Sequence, residues 1–260
     1  MATSSISRHD GVTTLDLLKC VAVVLMLADH VGLYLYDDDW LRVAGRPVAV
    51  IFGFLIGYSA STRVPPSWIG LGLGLSLLDL SLSPQDTPHT LDILISLALT
   101  RILIPFFDGL HKAHPLLLVP LVGALALMTE PINAFLEYGA EVPIVALLGV
   151  AVRLDSGRPS ETTARHATAL AALIAIGLTS LHHFEFKGPH AVACIGLVAG
   201  TMIALGNFTR ISFSVSAPLA TLMRWTGRNT LMIYAVHLAI LLVTSAAMQP
   251  DTTSDADNED

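Results

Sequence analysis

The residues best suited to chemistry lie inside apolar runs. The first run, residues 15–36, reads LDLLKCVAVVLMLADHVGLYLY and carries Asp16, Lys19, Asp29 and His30. On a helix, Asp16 and Lys19 are neighbours on one face, three positions apart. Lys19 and His30 are eleven apart. That is close to three turns, so the two side chains point the same way, about 16 Å from each other along the axis. One stripe thus holds a cation near one end and an imidazole deeper along the helix. The cation suits an anionic group, and the imidazole, which titrates near neutrality, suits general-base work. Asp29 lies about 100° round the helix from His30, placed to meet a neighbouring helix.

The second run begins LRVAGRPVAVIFGF, with Arg42 and Arg46 four apart on one face and Pro47 where an early helical position tolerates a missing N–H. Two guanidiniums here call for acidic partners, with Asp29 and Asp37–Asp39 at hand, or for an anionic ligand. A third segment, RWTGRNTLMIYAVHLAIL, holds Tyr234 and a second imidazole, His237, three apart. Gly227 and Asn229 suit a helix start there, with Asn229 or Thr226 as the cap. Structural readings stand beside the chemical ones: Lys19 and Arg42 snorkelling to the interfaces, Arg46 and Asp29 as an ion pair, His237 bonded to a carbonyl. What favours chemistry is convergence, because Lys19, Asp29, His30, Arg42 and Arg46 fall on two adjacent segments joined by a short loop.

The elements that position these residues follow from composition. The chain of 260 residues is 53% hydrophobic and 13% charged, and its mean hydropathy is +0.66. A soluble domain carries about 25% charged residues. The apolar stretches are long and continuous rather than alternating, which selects helices over a barrel. The expected fold is an all-α, polytopic integral membrane bundle of about nine transmembrane helices: Leu15–Tyr36, Leu41–Thr62, Trp68–Ser83, Leu91–Phe107, Pro115–Met128, Leu136–Val152, Ala164–Leu181, Ala191–Leu205 and Thr230–Met248. Residues 1–14 read as a cytoplasmic tail, 15–248 as one transmembrane domain, and 249–260 as an acidic disordered tail. The first run is too long for a secretory signal, carries charges and lacks a small-residue cleavage site.

With the N-terminus in the cytoplasm, the inner loops hold Arg63, Lys112, Arg153, Arg158, Arg165 and Arg210. The outer loops are acidic, with Lys187 as their one basic residue. This ordering follows the positive-inside bias and puts the C-terminus outside a plasma (inner) membrane. The net charge of −7 gives no sign of a nucleic-acid partner. Gly53 and Gly57, and Gly196 and Gly200, are spaced for close helix approach, and the run Gly70, Gly72, Gly74 reads as helix packing. Cys20 and Cys194 read as packed thiols. Arg101 needs a partner, with Asp92 and Asp108 as candidates, and Glu137 and Glu141 open the sixth segment. His182, His183 and His190 crowd one outer loop without the ligand set a metal site needs, so no metal is expected.

Asp16-x-x-Lys19, Asp29-His30-Val31-Gly32 and Leu41-Arg42-x-x-Gly45-Arg46-Pro47 with Ile51-Phe52-Gly53-Phe54-Leu55 resemble the opening of the TraX family. Glu137-Tyr138-Gly139 resembles its middle segment. Gly227-Arg228-Asn229-Thr230-Leu231, leading to Tyr234 and His237, resembles the closing helix that the family shares with wider membrane acyltransferases. The spacing of Lys19 and His30 is also similar to an Arg-x10-His pattern in those enzymes, with Lys in place of Arg. The resemblance implies an acetyltransferase that takes its acyl group from cytosolic acetyl-CoA and, in the pilin acetylases, places it on an N-terminal amine. It implies His30, Asp29 and His237 as catalytic residues. Lys19, Arg42, Arg46, Asn229 and Asp16 are then the acyl-CoA-binding set, with Arg46 or Asn229 facing the oxyanion. The acceptor stays open between a peptide amine, a glycan and a lipid headgroup, as do direct transfer against an acyl-His intermediate and a homo-oligomeric state. The rival functions are a proton-coupled transporter and a non-catalytic membrane scaffold.

Overall fold

A computed structural model describes residues 11–82, 89–183 and 186–248, without the side chains of 181–183. Most of the 1–14 tail, the acidic tail 249–260, Asp86, Glu185 and the His182–His183 side chains fall outside this description. The chain is almost wholly helical, with a two-residue ribbon of Val12–Thr13 (β1) paired antiparallel with Ser212–Phe213 (β2). In order the helices are α1 Thr14–Val31, extended by a π-helical turn Gly32–Tyr36; α2 Asp39–Gly45; α3 Pro47–Tyr58; α4 Pro66–Leu82; and α5 Ile93–Ala113. After a 3-10 turn at Pro115–Leu117 come α6 Leu118–Leu127, α7 Thr129–Asn133, α8 Glu141–Leu154, α9 Pro159–His183, α10 Pro189–Gly206 and α11 Ala217–Met248. Five stretches are long and apolar enough to cross a membrane: Thr14–Tyr36, Asp39–Tyr58, Ile93–Ala113, Pro189–Gly206 and Ala217–Met248. The protein is an integral membrane helical bundle, and each of the nine expected segments contains helix.

The centre of the bundle is α8, in which every residue from Glu141 to Val152 is buried. It is clasped by α3 through small residues. A methyl group at Gly57 would lie 2.0 Å from the Ala146 carbonyl oxygen, one at Gly53 2.9 Å from that of Val142, and one at Gly149 2.4 Å from that of Phe54. The two backbones therefore touch, as the Gly53/Gly57 spacing predicts. The Gly196/Gly200 pair does not act this way, since neither glycine has a neighbour within contact range, and in the 70–74 run only Gly72 packs, against Leu94 and Ile95. Spacing alone could not say which glycine face meets a helix. At one end of the α3–α8 pair, Arg153 donates to the Gly57 carbonyl (3.2 Å) and pairs with Asp108 of α5. Asp108 is thereby taken, and Arg101 uses neither expected carboxylate. Its Nε donates to the Ser61 carbonyl (2.9 Å) and its guanidinium lies 4.9 Å over the Trp68 ring.

Helices α1 and α11 run side by side in the same direction. β1 ties the start of α1 to the segment before α11, Cys20 Sγ reaches the Met223 carbonyl at 3.5 Å, and His30 meets His237 further along. α11 is continuous from Ala217, so Gly227 and Asn229 stand inside a helix and cap nothing. The helix propensity of Ala217–Trp225 outweighs one glycine, which costs about 1 kcal/mol. Cys20 and Cys194 are free thiols.

Candidate active site

Two non-helical segments enter the bundle and meet, and they set the site. The backbone of residues 89–92 turns in beside α4, where the Asp92 amide donates to Ser76 Oγ (2.9 Å). Residues 134–140 approach from the other side. Leu91 N–H donates to the Phe135 carbonyl and Glu137 N–H to the Leu91 carbonyl, both at 2.9 Å. Open backbone at membrane depth is tolerated where protein buries it or where it lines a cavity. Here its polar groups are met. Asp92 caps α5 by accepting from Leu94 N–H (2.8 Å), Glu137 Oε2 accepts from Ile93 N–H (3.1 Å), and Asn133 Oδ1 accepts from Ala140 N–H (3.1 Å). Asn133 also donates to both carboxylate oxygens of Glu141. Two carboxylates at the start of α5 also favour its dipole. Tyr138 takes φ of +51°, a left-handed conformation that a bulky residue adopts only where its surroundings hold it.

One hold on Tyr138 is Arg46. Its guanidinium donates to the Tyr138 hydroxyl (3.1 Å), to the Arg42 carbonyl through Nε (2.9 Å), and to Asp29 in a buried ion pair. Gly45 makes this pairing sterically feasible, because a methyl group there would sit 2.2 Å from Asp29 Cβ. The structural reading of Asp29 and Arg46 is therefore the one realised. The pair fastens α1 to the α2–α3 junction and to the loop before α8.

His30, one residue on, points elsewhere, as its 100° offset predicts. Its Nδ1 lies 2.7 Å from His237 Nε2, with the rings stacked at 4.9 Å. His237 Nδ1 lies 2.6 Å from the Ile233 carbonyl. These distances assign the tautomers of the neutral pair. A carbonyl only accepts, so His237 carries its proton on Nδ1 and leaves Nε2 as an acceptor. His30 must then carry its proton on Nδ1, and its Nε2 presents a lone pair. The carbonyl-bonded reading of His237 holds too, and it fixes the state of His30.

Two cavities meet at His30. The first, about 280 Å³, is polar; its walls include Arg42, Asp79, Asp92, Asn133 and Glu141. The second, about 300 Å³, is largely apolar, walled by Met26, Val48, Phe52, Leu97 and Leu231 with Lys19, Arg101 and Arg228 among its lining. Asp29, His30, Glu137, Tyr138 and Tyr234 line both. The Tyr234 hydroxyl donates to Asp92 at 2.5 Å and its ring stands 6.0 Å from that of His30.

The sequence-selected residues sort accordingly. Lys19 and His30 share the apolar cavity, Arg42 and Arg46 line the polar one, and Asp29 lines both. Asp16 closes a capping box with Thr13 at the start of α1. The Asn229 amide donates to the Trp225 carbonyl one turn back, at 2.8 Å. Asp92, Glu137 and Tyr234 also line the site; the sequence picks all three out without giving any of them a catalytic or binding role. The intramembrane carboxylates were the available signal, and the pairing of Leu91 with Leu136 that joins them has no local pattern.

The family model described as TraX protein matches residues 14–245. An uncharacterized protein of Rickettsia prowazekii is 25% identical over 234 residues, covering 87% of this chain and 90% of its own. Protein TraX of Escherichia coli is 27% identical over 236 residues, covering 87% of this chain and 85% of its own. No solved structure matches the chain.

Proposed function

The chain belongs to the TraX family, and from that membership and the two cavities meeting at His30 we propose a membrane-embedded acyltransferase. It moves an acetyl group from acyl-CoA on the Lys19 face to an amine or hydroxyl acceptor entering from the other. In this reading the Lys19 face is cytoplasmic and the membrane is the plasma (inner) membrane, as the Lys/Arg distribution favours. The observation that carries the proposal is one apolar cavity lined by both Lys19 and His30. Their separation of about 16 Å along α1 is of the order of an extended phosphopantetheine arm. Lys19, Arg101 and Arg228 supply cations for the phosphates, the apolar wall takes the arm, and the thioester comes to rest at His30. The TraX resemblance supports acetyl over longer chains.

The step asks little of the protein beyond position and one base. The acceptor's N–H or O–H proton passes to His30 Nε2 as its lone pair forms the C–N or C–O bond to the thioester carbon, and the carbonyl π pair moves onto oxygen. Collapse breaks the C–S bond, and the departing thiolate takes the proton back from the imidazolium. His237 helps by fixing the tautomer of His30 and by accepting a share of the charge through the 2.7 Å contact. A positioned base contributes about 10²–10⁴-fold in rate. Asp29 and Arg46 act as positioning residues.

The test is acetyl-CoA binding by thermal shift in detergent. We expect stabilisation by acetyl-CoA that Lys19→Ala weakens about tenfold in apparent Kd. No stabilisation, with solute uptake into proteoliposomes, would make the protein a carrier instead.

A further inference from the structure

The proposed transfer leaves a proton unaccounted for when the acceptor is an amine, and the geometry points to Glu137 as the group that takes it. This rests on the acyltransferase reading above; we infer that Glu137 is a second catalytic residue, the base that deprotonates an incoming ammonium before His30 acts.

The argument starts from the five residues that line both cavities. Asp29 is held in its pair with Arg46, the Tyr138 hydroxyl accepts from Arg46, and the Tyr234 hydroxyl donates to Asp92. His30 Nδ1 is engaged by His237. Of the residues that line both cavities, His30 keeps a free Nε2 and Glu137 an Oε1 with no hydrogen-bond partner among the described residues, whereas the other shared carboxylate, Asp29, is charge-paired with Arg46. Glu137 is also firmly placed. Its Oε2 accepts from Ile93 N–H at 3.1 Å, its carbonyl accepts from Ser96 Oγ at 2.6 Å, and its own N–H donates to Leu91.

The polar cavity favours a cation. With the Asp29–Arg46 pair set aside, its lining holds Asp79, Asp92, Glu137 and Glu141 against Arg42. An amine arriving there as R–NH3+ must shed two protons. The first goes to the Glu137 carboxylate and frees the nitrogen lone pair. The lone pair then forms the C–N bond at the thioester carbon, and the second proton, from the new C–NH2+ centre, goes to His30. The C–S bond breaks, the thiolate takes the proton from His30, and Glu137 returns its proton to the polar cavity. The sum is R–NH3+ plus acetyl-CoA giving R–NH–acetyl, CoA–SH and one proton.

The test uses the full chain in nanodiscs with acetyl-CoA and two probe amines: n-butylamine, which is charged at pH 7, and 2,2,2-trifluoroethylamine, which is largely uncharged there. The variant is Glu137→Gln, whose amide oxygen still accepts from Ile93 N–H. Relative to wild type, it should lose about 10²-fold or more with butylamine and stay within a few-fold with trifluoroethylamine, while His30→Ala loses both. Equal loss with both amines, or no loss with either, would overturn the role of Glu137 and leave the acyltransferase reading standing. Transfer by wild type to neither amine, while His30→Ala behaves like wild type, would refute both.

Discussion

Replacing His237 by Phe isolates one hydrogen bond. The ring and its stacking on His30, at 4.9 Å and 17° between planes, are retained, while the acceptor of the His30 Nδ1 proton is removed. His30 then either leaves a half-buried N–H unpaired or flips its tautomer and puts the proton on the nitrogen that must act as base. An unmade buried hydrogen bond costs about 1–3 kcal/mol, and a penalty of that size on the reactive state slows turnover about 5- to 150-fold. Free-thiol release from acetyl-CoA, with n-butylamine supplied as acceptor, by purified protein in nanodiscs reads the rate directly. His237→Phe should fall in that range while His30→Ala falls further, and His237→Gln, which restores an acceptor oxygen, should recover part of the loss. An unchanged rate, or a loss as deep as that of His30→Ala, would refute the assignment of His237 as the group that sets the tautomer of its neighbour.

Three further outcomes follow from the packing. Arg46→Ala strands the buried Asp29 carboxylate and takes a donor from the Tyr138 hydroxyl, costing about 3–5 kcal/mol; detergent-solubilised protein should melt markedly lower, and Arg46→Lys should not restore it, because a single ammonium nitrogen cannot span the Asp29, Tyr138 and Arg42 acceptors that three separate guanidinium nitrogens reach. Gly57→Val drives a side chain into the Ala146 carbonyl, 2.0 Å from its first carbon, and should abolish a monodisperse peak in size-exclusion chromatography, whereas Gly196→Val, with open space around it, should leave the peak intact. Hydrogen bonds and charge from Arg158, with donors on Ser156, hold the Glu161 carboxyl down at about 2. Its contribution to stability is therefore present above the ordinary carboxylate range and is lost as pH falls toward 2, so acid melting curves of wild type and Glu161→Gln should converge there and separate at neutral pH.

Much of the architecture was legible because the bilayer makes strong demands on sequence. Long apolar runs read as helices, Gly53 and Gly57 read as a close contact, and Asp29 and His30 read as diverging, since helical phase alone separates them. What local pattern could not carry is the meeting of distant parts. Glu137 and Asp92 line a cavity with His30 because a pairing between Leu91 and Leu136 draws two loops into the bundle, and no periodicity announces it. The contact between His30 and His237 comes from α1 packing parallel to α11, a pairing tied at one end by a single ribbon with two residues in each strand, too short to stand out from its flanks. Arg101 was assigned a carboxylate on charge grounds, yet a backbone carbonyl and the Trp68 face satisfy it, because Arg153 had already claimed Asp108.

The central claim is that the imidazole of His30, reached by acyl-CoA through the apolar cavity, is the base of an acetyl transfer. Radiolabelled acetyl-CoA given to wild-type and His30→Ala protein in proteoliposomes that carry the native membrane's extractable lipids and peptides tests it most directly. The account predicts label moving from CoA to an acceptor with wild type and at least about 100-fold less with the variant. Equal labelling by the two proteins would contradict it.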